Sequence, residues 1–413
     1  MVNLAILRKR LLLLGTLLFS WWASPAQPSE ASLYRKDTLK KTEIELLYSH
    51  YLQDGNNSAV TGGTGTEKLT VYATQLKLKR TFNPRNSLSF QGGADVITSA
   101  STDRIDRVIS SASEHDIRSY ANVDYTHQLK EQPLQLSIGT GISLESDYLS
   151  LPYQLGLFYD DQKRLRTYAL DVQFFYDDLR WGRIDKDYFR PVRLIYPSEL
   201  RDREWFDGYS RTSLNVKTGF TQAVNRRLVL GIFPEWTYQR GVLATPFHRA
   251  YFTDGSVRVE NLPDRRIKTA LGLKANAFVG GRTILKNDLN LYRDNYGILA
   301  IALEQETVVK LNYLWRIAPF VRIYHQKGTR YFAPFQEHEL DAEYYTSDYD
   351  LSTFTSFKGG IALRYTPGHY LSKRLTFNEL RIRYSFFHRS DNLQAHVISV
   401  QFAGVFYAKS KQP

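Results

Sequence analysis

The sequence predicts an all-β chain: a transmembrane, up-and-down antiparallel β-barrel of about sixteen strands (range 14–18), with short periplasmic turns and long extracellular loops. Three observations carry this expectation. Stretches of alternating apolar and polar side chains recur from about residue 42 to residue 408. The breaks between them alternate between short and long. The stretches also put polar residues where a sandwich would need a dry core. In the last stretch Ile398, Val400, Phe402 and Phe406 share one face, while Ser399, Gln401, Ala403 and Val405 share the other. Strand side chains have a period of two, so each stretch has one apolar and one mostly polar face.

Composition agrees. Hydrophobic residues make up 43% of the chain, a soluble-looking level, but only alternate residues of a barrel strand touch lipid. Aromatics reach 14%, with 28 Tyr and 23 Phe, which suits girdles at the membrane interfaces. There are no cysteines, which excludes disulfides, thiolate metal sites and a lipid-modified N-terminal cysteine.

The expected organisation is a signal peptide over residues 1–26, a polar lead over 27–41, the barrel over 42–408 and a polar tail over 409–413. Arg8, Lys9 and Arg10 precede an apolar run over 11–22, and Ser24-Pro25-Ala26 supplies small residues for cleavage after Ala26. The apolar run is shorter than the roughly 20 residues of a spanning helix. Its removal takes the formal charge from +12 to about +9.

Strands follow in order. The first covers 42–52, with Ile44, Leu46 and Tyr48 opposite Glu43 and Glu45. A loop over 53–68 leads to 69–82, where Tyr72, Leu76 and Leu78 face out and Gln75, Lys77 and Lys79 face in. Phe82-Asn83-Pro84-Arg85-Asn86 is a turn, and Leu88, Phe90, Ala94 and Val96 mark the third strand. After the loop 98–114 come 117–127 and the alternation of Leu134, Leu136, Ile138, Ile142 and Leu144. Strands at 153–160 and 166–177 precede the long loop 178–208. Strands at 209–222 and 228–239 precede the loop 240–265. Those at 267–279 and 283–293 pair across Gly280-Gly281, and 298–309 and 315–325 follow. The loop 326–353 leads to 354–365, 375–387 and 396–408. The pairs Gly92-Gly93 and Gly359-Gly360 fall inside strands and are expected to bend or bulge them.

Several runs resemble one family. They are LATPFHRAYFTDGSVRVENLPDRR at 243–266, RTILKNDLNLYRDNYGI at 282–298, RIYHQKGTRYFAP at 322–334, YYTSDYDLS at 344–352, SLESDYLS at 143–150 and GADVITSAS at 93–101. Together they resemble a bacterial outer-membrane β-barrel family catalogued only as a domain of unknown function, in the 3500 series. The resemblance implies a signal-bearing barrel of the Gram-negative outer membrane, and an accessory role in extracytoplasmic redox chemistry beside a flavin transferase, a thioredoxin-like protein and a small lipoprotein. It supplies no catalytic residues. Such barrels commonly end on an aromatic residue; here Phe406 and Tyr407 are followed by Ala408 and the polar tail.

Two loops stand out as ligand or recognition elements, because loops of this length often carry function. One holds Pro246, Phe247, His248, Arg249, Tyr251 and Asp254; the other holds Tyr344, Tyr345, Asp348, Tyr349 and Asp350. The acids of 337–350 do not match the twelve-residue calcium loop, which needs Gly at its sixth place, so no metal site is expected. The basic residues Arg118, Lys217, Lys268, Lys274, Arg322, Arg364, Arg381 and Arg383 are expected in the lumen. There they form either an anion-favouring wall or, with Asp124, Asp171, Glu235 and Asp288, a ladder of cross-strand ion pairs.

No Gly-x-Ser-x-Gly elbow or His-Glu-x-x-His helix occurs, and Gly62-Gly63-Thr64-Gly65 lacks the lysine of a phosphate loop. No catalytic residue and no cofactor are therefore expected. The expected function is a pore, or a membrane shell, for a small solute or a periplasmic partner. The alternatives are a non-conducting scaffold of an envelope redox (flavoprotein-associated) complex and an outer-membrane hydrolase. Expected partners are outer-membrane lipid and lipopolysaccharide, the barrel-insertion machinery, and a small lipoprotein or periplasmic redox protein, with no nucleic acid. The expected location is the outer membrane of a Gram-negative bacterium, reached through a cleaved signal peptide.

Overall fold

Backbone pairing turns the period-two stretches into a closed cylinder. The structure, a computed structural model, describes residues 40–99, 115–145, 149–179, 210–245 and 248–407. The expected signal peptide, most of the lead, the tail, and most of the loops 98–114 and 178–208 lie outside the described residues.

The first nine strands are β1 (Lys41–Asp54), β2 (Leu69–Asn83), β3 (Asn86–Ser99), β4 (His115–Gln128), β5 (Leu134–Leu144), β6 (Leu149–Asp161), β7 (Arg166–Asp178), β8 (Ser210–Asn225) and β9 (Leu228–Gly241). A small hairpin, β10 (Arg249–Tyr251) and β11 (Val257–Val259), interrupts the next loop. Then come β12 (Arg265–Val279), β13 (Thr283–Asp294), β14 (Leu299–Lys310), β15 (Trp315–Lys327), β16 (Phe354–Tyr365), the two-residue β17 (His369–Tyr370), β18 (Leu375–Arg389) and β19 (Gln394–Tyr407). The sixteen long strands pair antiparallel in chain order, and β1 pairs with both β2 and β19. That seam runs from Lys41 opposite Tyr407 to Asp54 opposite Gln394. Closure leaves no edge of unpaired backbone, the condition for spanning hydrocarbon with strands.

The exterior is apolar. Leu46, Ile138, Leu155, Leu157, Ile232, Leu303, Ile361 and Ile398 all lie exposed on it. Aromatics ring both ends of this belt. Toward the short-turn end stand Tyr125, Tyr159 beside Tyr168, and Trp315 against Tyr365. Toward the long-loop end stand Tyr72, Tyr153 beside Phe174, Trp236 beside Tyr238, and Phe357. An aliphatic band between two aromatic girdles is the surface of a barrel that spans a bilayer.

Most strands run past their expected ends, because ladder pairing continues where the apolar alternation stops. The first, expected over 42–52, is the longer β1, which ends on the polar Gln53 and Asp54; the sixth, expected over 153–160, is the longer β6, where Leu149 and Leu151 continue the alternation. The glycine pairs do not bulge. Register continues through Gly92 and Gly93 opposite Leu76 and Gln75, and through Gly359 and Gly360 opposite Val321 and Phe320. Their use is space on the inner wall. A Cβ on Gly93 would sit 2.6 Å from the Tyr120 hydroxyl, and one on Gly360 would sit 2.6 Å from the Phe320 ring. Register shifts occur instead between Thr81 and Asn83, Ala223 and Asn225, and Phe377 and Glu379, all near the short-turn rim.

Candidate functional site

The lumen wall is built by the residues that alternate with the lipid face. All eight basic residues expected there occupy inward register positions. Most face a carboxylate on a neighbouring strand. Lys217 lies 3.8 Å from Glu235, Lys274 lies 3.7 Å from Asp288, and Lys286 lies 2.7 Å from Glu306. Arg364 and Arg381 share Glu379 at 3.2 and 3.9 Å, while Arg383 reaches Glu304 and Glu306 at 4.0 and 3.5 Å. Arg118 stands 3.9 Å from Asp95 and 3.5 Å from Glu145. Lys268 lies opposite Asp294 in register. Arg322 is opposite Lys358 on one side and Glu304 on the other, so two cations stand beside one carboxylate that Arg383 also approaches at 4.0 Å. The inner wall of β3–β7 encloses a cavity of about 460 Å³ lined by Asp95, Arg118, Tyr120, Asn122, Asp124 and Gln154, among others.

The long-loop end of the barrel is crossed by chain. Three loops meet there: 55–68 after β1, 242–264 after β9, and 328–353 after β15. On the ring of sixteen, the first two are eight places apart, hence on opposite sides, and the third stands midway. A barrel of this size is about 30 Å across, so contact between opposite loops requires both to reach inward over the mouth. They do touch. Gly62, with φ +80°, lies against the ring of Tyr251 so closely that a Cβ would collide with it. A Cβ on Gly63 would sit 2.9 Å from the Ser347 carbonyl and 3.0 Å from the Tyr349 ring.

The second and third loops interlock. Asn261 and Tyr345 exchange backbone hydrogen bonds of 3.1 and 2.8 Å, and the Thr253 N–H donates to the His338 carbonyl at 3.0 Å. Phe252 is fully buried edge-on against Tyr345, with the Arg258 guanidinium 4.1 Å above its ring. The bridge is tied to the rim by Arg389, which pairs with Asp350 and, at 2.7 Å, with Asp391. The Gln326 amide donates to the carbonyls of Asp350 and Ser352.

Beneath these contacts is a charged trio. His248 Nδ1 lies 3.5 Å from Glu260 Oε1 and 3.9 Å from Asp348 Oδ2. Glu260, only 2% exposed, accepts from the Thr245 N–H at 2.6 Å and from the Thr346 hydroxyl at 2.5 Å. Burial alone would lower the His248 pKa, but the facing charges of Glu260, Asp348 and Asp350 push it up to about 9. Burial raises Asp348 to about 6 against the pull of His248, with Asp350 and Glu260 adding to the rise. Burial opposes the charge on Glu260 too, yet His248 and the two donors hold it below the usual carboxylate range.

Of the residues singled out in the two loops, the structure brings together His248, Asp348 and Asp350. Arg249 and Tyr251 sit on β10, Tyr251 against Phe335, and Tyr349 packs on Phe332. Tyr344 stacks edge-on with Tyr331. Asp254 caps the exposed hairpin turn by accepting from the Ser256 N–H, and the Ser256 hydroxyl and N–H together hold its pKa down. Pro246 and Phe247 lie outside the described residues. Sequence reasoning missed Glu260 and Thr346; the short alternation Val257-Arg258-Val259-Glu260 was the available signal for the first. It also missed a Ser–His contact, His338 Nε2 to Ser347 Oγ at 3.0 Å. That pair is not an activated nucleophile. Ser347 donates its proton to the Ala333 carbonyl, so it accepts from the imidazole, and its side chain is shut off from solvent.

These features define a membrane-spanning sixteen-strand barrel with a charged interior and a loop-bridged mouth. The chain belongs to the family described as Protein of unknown function (DUF3570), which it matches over residues 105–385. No curated protein matches the chain. Among solved structures it is similar to the outer membrane protein opdK from Pseudomonas aeruginosa, at 9% identity and TM-score 0.40, covering 88% of this chain and 99% of that one. It is similar to a bacterial polysaccharide outer membrane secretin, at 10% identity and TM-score 0.44, covering 90% and 100%. A BenF-like porin from Pseudomonas fluorescens Pf-5 follows at 9% identity and TM-score 0.41, covering 89% and 99%.

Proposed function

We propose that this protein is a pore of the Gram-negative outer membrane that passes small charged solutes, with its outer mouth screened by the three-loop bridge. The observation that carries the reading is a closed barrel, apolar outside, whose inner wall is charged from end to end. A dry or purely structural interior would not maintain such a wall, because buried charges are costly unless paired and hydrated. Both ends of the described barrel lie at the short-turn rim, as they would if that rim faced the periplasm. Arg322 and Lys358, adjacent cations beside Glu304, give that stretch of wall an excess of positive charge that favours anions.

The test uses the full chain, refolded in detergent and added to planar bilayers. Discrete conductance steps and a reversal potential of anion-selective sign are expected under a salt gradient. Protein that keeps its folded, heat-modifiable gel mobility but gives no steps above bare lipid would end this reading. Membrane fractionation of the native host checks the location.

A further inference from the structure

We propose that His248, Glu260 and Asp348 form a zinc site that ties the loop after β9 to the loop after β15 across the barrel mouth. The three candidate ligand atoms lie within 4.8 Å of one another and come from two separate loops. Donors around one tetrahedral Zn²⁺ sit about 3.3 Å apart. The Nδ1–Oε1 spacing of 3.5 Å already matches this; Asp348 Oδ2, 3.9 Å from Nδ1 and within 4.8 Å of the Glu260 oxygen, moves inward to complete the set.

The donor set selects the ion. Calcium and magnesium take oxygen ligands. One imidazole with two carboxylates suits zinc and leaves a fourth position open. The imidazole is prepared for it: His248 Nδ1 is sealed from solvent and makes no hydrogen bond. The carboxylates are held in place by outer partners, as metal ligands are. Glu260 is fixed by Thr245 and Thr346, and Asp348 Oδ1 accepts from the Asp350 N–H at 2.9 Å, leaving Oδ2 turned to the imidazole. A buried and a partly buried carboxylate this close repel each other, and a divalent cation balances them. Asp350 adds a further negative charge nearby, partly met by Arg389.

The inference does not rest on the pore reading, since zinc can bind the loops whether or not the lumen conducts. The test takes refolded full-length protein, strips it with a chelator and titrates it with Zn²⁺ alone by calorimetry. His248→Gln and Asp348→Asn are titrated in parallel, and Ca²⁺ is titrated into wild type. We expect one tight equivalent in wild type, at least about 100-fold weaker binding in each variant, and no Ca²⁺ uptake at the site. Zinc should also protect residues 242–264 from protease. Co²⁺ absorption of a tetrahedral nitrogen–oxygen site in wild type provides a readout that needs no variant. Equal zinc uptake by wild type and both variants, no tight equivalent in wild type, or equal binding of Ca²⁺ would overturn the proposal; the trio would then be an ion-pair latch with a protonated His248.

Discussion

Gly62 lies directly against the ring of Tyr251, although the strands that carry their loops stand on opposite sides of the barrel. Only a residue without a Cβ fits there, and its φ of +80° is one that β-branched residues avoid. Gly62→Val should therefore loosen the bridge at a local cost of about 1–3 kcal/mol, leaving the strands intact. Faster protease cleavage within 55–68 and a larger single-channel conductance are expected. Unchanged values of both would show that the contact does not restrict the mouth.

At the rim, one carboxylate gathers five donors. The Asp294 side chain is 0% exposed. It accepts from Arg266 at 2.5 and 2.9 Å, from the Tyr292 hydroxyl at 2.9 Å, and from the N–H groups of Tyr296 and Ile298 at 3.0 Å. Asp294→Ala leaves a largely buried guanidinium and two buried amides without their acceptor. A loss of about 3–5 kcal/mol is expected, read as a lower urea midpoint for the folded gel band. Asp294→Asn should fall between. A loss below about 1 kcal/mol would mean that water replaces the carboxylate.

The lipid belt can be tested from outside. Leu303 is 52% exposed on the outer face of β14. Leu303→Arg should cost about 2–4 kcal/mol when folding into liposomes is titrated with urea. If the change proves neutral, that face does not meet hydrocarbon.

Selectivity has its own test. Arg322 and Lys358 are adjacent across β15 and β16 and face the lumen. Replacing both with Gln should lower the anion-to-cation permeability ratio roughly two-fold or more, with the reversal potential moving toward zero. A ratio equal to wild type would place the selectivity filter elsewhere.

All sixteen long strands were legible in the sequence because each strand meets lipid on one face and water on the other, and that contrast is written in adjacent residues. Strand ends were less so: Leu149 and Leu151 continue the alternation of β6, but Pro152 reads as a break, although the segment pairs with β7 throughout. Lumen charges could be located but not matched: Lys274 finds Asp288 only once the register of β12 and β13 is set. The hairpin at 249–259 was unreadable because three-residue strands hold too few periods. His248 and Asp348 stood out by residue type, whereas Glu260 is marked only by the brief alternation 257–260, and its approach to Asp348 depends on a contact between loops. Gly62 looked like a flexible linker and is a tight packing position.

The seam between β1 and β19 has a consequence for biogenesis. The earliest and latest transmembrane segments to leave the ribosome are each other's neighbours, so every intermediate short of the final segment carries two raw borders that oil cannot solvate. Assembly must therefore either hold both borders on a helper surface until the last segment arrives, or deliver all sixteen segments to the bilayer together.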